Sequence, residues 1–377
     1  MRYSHAVREA DVDSVMESSV SVRHDLASLY LVVTKSNSDE SVASPDSWPT
    51  SAKRARLHFI SGKGGTGKTT VAGALALALA QEGKRVLLVE CEGRQGIAQL
   101  FDRPPLPPTD DLIATVEGGE VYGLAIDIEY ALLEYLDMFY NLGFAGRAMK
   151  RIGAIDFVTT VAPGLRDVIL TGKIKERVIA VNKDGSRVYD AIVVDSPPTG
   201  RIGNFLDVTQ AMADLTKTGP IRNQSDGVTK LLRSADTAVH LVTLLEAMPI
   251  QETIEAVEEL LSKDLRVGVI FVNRVVPALL PDEDIDAIAE GNIDGARIKS
   301  NLAGAGLDLD QEELTGLLTE TIEHAVRYQA QQVASGQLDT VETKQGTPVA
   351  TLELPNLEGR DKAFMYELAQ VLRKEGV

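Results

Sequence analysis

An α/β fold with a mainly parallel central sheet flanked by helices is predicted by three observations. From Leu57 onward, short β-branched apolar runs alternate with amphipathic helical patterns. The runs are apolar throughout rather than at every second position, as strands covered on both faces are. The first of them, LHFI, leads directly into GKGGTGKTT and then into the helical pattern TTVAGALALALA, the strand, loop and helix of a phosphate-binding unit. At 377 residues the chain is long enough to bury the core of one large domain.

Residues 1–52 stand apart from this pattern. They hold twelve serines and scattered acids, too little apolar surface to offset the entropy of ordering, so a disordered tail is expected there and an ordered domain over 53–377. After LHFI and its helix come the strand patterns RVLLVE, YDAIVVD, AVHLVTLL and VGVIFVN, and near the end ATLELP. The helical patterns PIQETIEAVEELLSKD, QEELTGLLTETIEHAVRYQAQQVASG and RDKAFMYELAQVLRKEGV fall between and after them. Two stretches break the rhythm, residues 128–180 and 203–235, and read as helical insertions between strands.

Bulk properties narrow the partners. A formal charge of -17 and an isoelectric point near 4.8 oppose attraction to nucleic acid or anionic lipid, so no nucleic-acid partner is expected. Cys91 is the single cysteine, which rules out a disulfide within the chain and a multi-cysteine zinc site in one copy. A reducing, cytoplasmic compartment is the expectation, and neither a secretory leader nor a membrane-spanning run is legible.

The loop fits G-x-x-x-x-G-K-[ST] with Gly62, Gly67, Lys68 and Thr69, which defines the P-loop NTPase class. Its glycines turn backbone N–H groups onto phosphate oxygens, and the following helix adds the positive end of its dipole. Gly62, Lys63, Gly64, Gly65, Thr66, Gly67, Lys68, Thr69 and Thr70 are therefore the expected phosphate-binding residues. Lys68 is assigned to the β- and γ-phosphates and Thr69 to Mg²⁺.

Lys63 is one lysine more than such a loop needs. GKGGTGKTT resembles the deviant Walker A of a family that includes the arsenical-pump ATPase, the ATPase that targets tail-anchored membrane proteins, partition and division-site ATPases, and nitrogenase iron protein. The resemblance implies a dimer, with Lys63 reaching the nucleotide of the partner chain as an arginine finger does.

YDAIVVDSPPTGRIGNFLDV is similar to switch II of the arsenical-pump and tail-anchored-protein branch, whose pattern is Asp-Thr-Ala-Pro-Thr-Gly-His followed by Phe-Leu. Asp195 then corresponds to the Mg²⁺ aspartate and Phe205 and Leu206 to that pair, while Arg201 stands in place of histidine. In RVLLVECEGRQGIAQLFD, Glu92 falls at the catalytic aspartate of switch I, with Glu90 two residues earlier. Glu92 is the expected water-orienting group, and a carboxylate merely paired with Arg94 is its rival. The same resemblance places Asn273, in VGVIFVN, against adenine's edge and Pro355, in ATLELP, beside the base.

The branch implies Mg²⁺-ATP hydrolysis coupled to a membrane-protein client or a membrane transporter. One cysteine leaves no metalloid site and no shared zinc. In the insertion, Leu132, Leu133, Leu136, Phe139, Tyr140, Phe144 and Met149 lie at mostly helical spacing, either core or a client groove. Two alternatives stay open: a partition or positioning ATPase, and a regulatory paralogue that hydrolyses weakly because Glu92 and Arg201 depart from the pattern.

Overall fold

A computed structural model describes residues 48–140, 163–207, 220–357 and 362–377. In chain order the elements are α1 (Thr50–Arg54), β1 (Leu57–Gly62), α2 (Lys68–Leu79), β2 (Arg85–Glu90), α3 (Gly96–Leu100), β3 (Asp111–Val116), β4 (Gly119–Ala125), α4 (Ile128–Tyr140) and α5 (Pro163–Ile179). They continue with β5 (Ala191–Asp195), α6 (Thr199–Leu206), α7 (Pro220–Leu232), β6 (Thr237–Thr243), α8 (Ala247–Ser262) and β7 (Val267–Val275). Last come α9 (Asp282–Ala289), α10 (Gly295–Gly304), α11 (Gln311–Leu338), β8 (Ala350–Pro355) and α12 (Lys362–Lys374).

The strands form one sheet in the order β3-β4-β2-β5-β1-β6-β7-β8, parallel except where β3 pairs antiparallel with β4. The continuous apolar runs have the expected cause. On β1, Leu57 and Phe59 join the core of one face, while Ile60 joins that of the other. On β2, Leu87 and Val89 face the first core and Val86 and Leu88 the second. Both sides are covered, so neither register of residues has a solvent-facing side. A fully buried Leu, Val or Phe contributes about 1.5–3 kcal/mol relative to exposure. The second face is closed by α2, whose Val71 to Ala78 are all buried, and by Met365, Leu368 and Leu372 of α12.

Two strands escaped the sequence reading. β3 and β4 form a hairpin joined by Glu117 and Gly118, both left-handed at φ 42° and 85°, the geometry of a two-residue primed turn. The signal is TVEGGEV, a Gly-containing turn between β-branched runs, and it hid behind the proline-rich stretch before it. Helices α9 and α10 also went unread; α10 buries none of its side chains, so it lacks the apolar stripe by which helices are recognised.

The tail boundary shifts as well. Trp48 is only 2% exposed and Ala52 only 1%, both inside the segment expected to be disordered; the rest of that segment, up to residue 47, lies outside the described residues. The Trp48 indole stacks on His240 at 5.1 Å and on Phe271 at 6.1 Å. One large aromatic in a serine-rich context supplies the anchoring that composition alone does not reveal.

Of the insertion residues, Leu132 is buried in the core and Leu133 packs against it. Their reading as core holds. The side chains of Leu136, Phe139 and Tyr140, and all of Phe144 and Met149, lie outside the described residues. No helix among the described residues is long and apolar enough to cross a membrane.

Candidate active site

Three adjacent strands, β2, β5 and β1, end together, and their register decides what meets. Asp195 lies opposite Ile60 on one side and Glu90 on the other. The loop after β1 therefore sits beside the carboxyl ends of β5 and β2, where ligands bind in open α/β sheets.

The loop is braced from within and behind. Thr66 donates to the Lys63 carbonyl at 2.9 Å, and Lys68 Nζ donates to the same oxygen at 3.2 Å. Asn273 Nδ2 donates to the Thr66 carbonyl at 2.9 Å, and its Oδ1 accepts from the Arg274 backbone at 3.0 Å. Gly67 is left-handed at φ +94°, and a Cβ there would stand 2.4 Å from the Asn273 amide. Asn273, expected at adenine's edge, buttresses the loop in this structure, while Pro355 lies at the exposed end of β8 in register with Val275.

Lys68 is partly buried, and burial pulls its ammonium pKa down against the opposing pull of Asp195 and Glu92. Thr69 Oγ1 donates to Asp195 Oδ2 at 2.7 Å. Burial pushes the Asp195 carboxyl up to about 6, although Thr69 and Lys68 act against the shift. A buried carboxylate short of positive charge beside a hydroxyl is an oxygen donor set that fits Mg²⁺, which takes one or two protein oxygens along with substrate phosphates. Among the described residues no three His, Cys, Asp or Glu side chains cluster to hold a metal by themselves.

The two carboxylates at the end of β2, Glu90 and Glu92, part company. Glu90 is 2% exposed and accepts the backbone N–H groups of Gln95 and, at 3.1 Å, Ile97. It therefore caps α3 and pins the loop that precedes it. Glu92 is free of such duty and pairs with Arg94 at 3.3 Å and Arg201 at 3.8 Å. The rival reading of Glu92, a partner of Arg94, describes its arrangement here. Lys68, Thr69, Glu90, Glu92, Arg94, Gly96, Asp195 and Ser196 line a cleft of about 110 Å³.

Lys63 points elsewhere. Its Nζ lies 2.7 Å from Glu252 Oε1 on α8, and Thr199 of the switch II helix donates to Glu252 Oε2 at 3.3 Å. Sequence reasoning passed over Glu252, and a single acid in an amphipathic helix carries no signal of its own. Ser61, also unremarked, donates to the Pro197 carbonyl at 2.6 Å and ties β1 to the switch II loop.

Comparison with known proteins shows the family. The profile of the anion-transporting ATPase family, ArsA ATPase, matches residues 55–236. ATPase BagA of Mycobacterium tuberculosis is 56% identical over 349 residues, covering 92% of this chain and 100% of that protein. A putative arsenical pump-driving ATPase of Aquifex aeolicus is 25% identical, covering 62% of this chain and 85% of its own length. ATPase GET3 of Lachancea thermotolerans is 24% identical, covering 66% and 78%. The chain belongs to the anion-transporting ATPase family that includes the arsenical pump-driving ATPases and GET3, and its activity is ATP hydrolysis.

Proposed function

We propose that the protein works as a Mg²⁺-dependent ATPase dimer, with itself or a paralogue, whose hydrolysis cycle drives a conformational switch serving a membrane-protein client or a transport partner. The observation that carries the dimer is Lys63. The loop's own phosphate lysine, Lys68, faces the cleft, while Lys63 is turned to Glu252 with about a third of its side chain exposed, at 30%. A cation held by one partly exposed ion pair is cheap to redirect, so the partner's nucleotide is within its means.

In this reading the N–H groups of the loop and Lys68 hold the phosphates, and Thr69 and Asp195 hold Mg²⁺. Bound there, Mg²⁺ would offset the negative charge that develops on the phosphates. Glu92 orients the attacking water, and Asn273 and Pro355 meet the base. Thr199, Glu252 and Lys63 form a chain of contacts from the switch II helix to the lysine. Movement of residues 195–206 on nucleotide binding then loosens Lys63 from Glu252, and α4 to α7 carry the change outward.

Steady-state ATPase turnover across protein concentration tests this reading. Wild type should gain specific activity as concentration rises, and Lys63→Ala should lose that rise together with roughly a hundredfold or more of its rate. A Lys63→Ala enzyme that matches wild type at every concentration refutes the role in trans.

A further inference from the structure

The two departures from the switch pattern meet in space with a further arginine. Glu92 replaces a shorter acid, Arg201 replaces histidine, and Arg94 supplies a second guanidinium; Glu92 sits between the two at 3.3 and 3.8 Å. The two arginines are not equivalent. Arg201 has a second carboxylate in reach, Asp167 at 3.9 Å on α5. Arg94 has Glu92 as its ion-pair partner, is 77% exposed, and lines the cleft beside Lys68, Thr69 and Asp195. Its charge is felt at Lys68, whose pKa it helps to lower.

We propose that Arg94 is a catalytic residue supplied in cis, a ligand of the γ-phosphate that leaves Glu92 when ATP arrives and so frees that carboxylate for the attacking water. This rests on the proposed placing of the γ-phosphate beside Lys68. Three physical arguments carry it. A single ion pair whose guanidinium is mostly in solvent contributes little, whereas a guanidinium fork on a phosphate makes two charge-assisted bonds. The base of the side chain is anchored: the next residue, Gln95, donates its backbone N–H to buried Glu90 and accepts through its side chain from Leu106 at 2.7 Å. A fixed base with a free tip is the preorganisation that charge stabilisation requires. Finally, Glu92 keeps a cation after Arg94 departs, because Arg201 stays within reach.

In the step itself the water oxygen bonds to the γ-phosphorus while the bond to the β–γ bridging oxygen breaks. The electron pair leaves on ADP, and the water's proton passes to the Glu92 carboxylate.

The experiment compares wild type, Arg94→Ala, Arg94→Lys, Glu92→Gln and the Arg94→Ala/Glu92→Gln double variant by turnover and by affinity for ADP and for ADP with aluminium fluoride. Arg94→Ala should lower kcat roughly a hundredfold to a thousandfold, keep its affinity for ADP within about threefold, and lose affinity for the fluoride complex. Arg94→Lys should recover part of the rate. In the Glu92→Gln background, Arg94→Ala should still weaken binding of the fluoride complex; no further weakening there would make Arg94 a positioning residue for Glu92 and overturn the proposal. So would an Arg94→Ala kcat within threefold of wild type, or an equal loss of affinity for both complexes. Turnover that survives Lys68→Ala unchanged would instead refute the placing of the γ-phosphate beside Lys68, a separate failure.

Discussion

Strand β1 starts beside a buried histidine pair and ends in the phosphate loop, and its two ends treat buried polarity in opposite ways. At the start, Val269 N–H donates to His240 Nδ1 at 3.1 Å, which leaves the proton on His240 Nε2 to be donated to His58 Nδ1, also at 3.1 Å. His58 Nε2 then carries a proton and faces the Ala55 carbonyl without reaching hydrogen-bond geometry. Both rings are neutral and sealed by Trp48. At the other end Asp195 and Lys68 are partly buried charges, each pushed away from its ordinary pKa by that burial. Neutral polarity sealed in the core belongs to the fold, whereas charge held in excess of its partners marks a place that awaits a ligand.

The largest test of that contrast is Asp195→Asn. It should lower Mg²⁺-ATP turnover roughly a thousandfold, about 4 kcal/mol of transition-state stabilisation. Burial disfavours the ionised carboxylate at neutral pH, so the same change should raise the thermal midpoint or leave it in place. A midpoint that drops by several degrees would put Asp195 with the structural groups and break the comparison.

The histidine end predicts the reverse, an effect on stability and none on the site. Burial lowers the His58 pKa to about 4 from an ordinary 6.5, and His240 is pushed down as well, by burial first and by His58 second. The unfolded chain then binds the extra protons, so stability is complete above pH 6.5 and is lost as pH falls toward 4. His58 alone accounts for about 3 kcal/mol of this loss. Denaturant unfolding followed by the fluorescence of Trp48, the single tryptophan, should show it, and His58→Leu should flatten the slope. An unchanged slope in that variant would mean that other groups titrate.

The phosphate end was legible in the sequence and the histidine end was not, for a physical reason. GKGGTGKTT and DSPPTG are local: their spacing along the chain is itself the geometry, since a loop of fixed length must wrap a phosphate. Five of the six strands other than β3 and β4 were equally legible, because burial on both faces writes itself as an apolar run; β8, buried only at alternate positions, was read from ATLELP through the family resemblance. His58 and His240 are 182 residues apart and only the sheet's strand order brings them together. The same holds for Glu252, which meets Lys63 through packing of α8. Glu92 and Arg94 are near neighbours in sequence, yet the second guanidinium, Arg201, joins them only across strands β2 and β5.

The smallest predicted effect asks to which end Lys63 belongs. Its ion pair with Glu252 leaves side chains 30% and 33% exposed, so screening limits its worth to about 1 kcal/mol or less. Glu252→Gln should therefore shift the thermal midpoint by no more than about 2–4 °C. If the pair only decorates the fold, nothing else should change. If it restrains a lysine bound for a partner's nucleotide, releasing it favours the dimer by at most that same 1 kcal/mol for each protomer, about 2 kcal/mol for a homodimer. The concentration at half-maximal specific activity should then fall by about thirtyfold or less, the equivalent of that energy. A half-maximal concentration that does not move, or that rises, would make Glu252 a contributor to the dimer or a bystander rather than a restraint on Lys63.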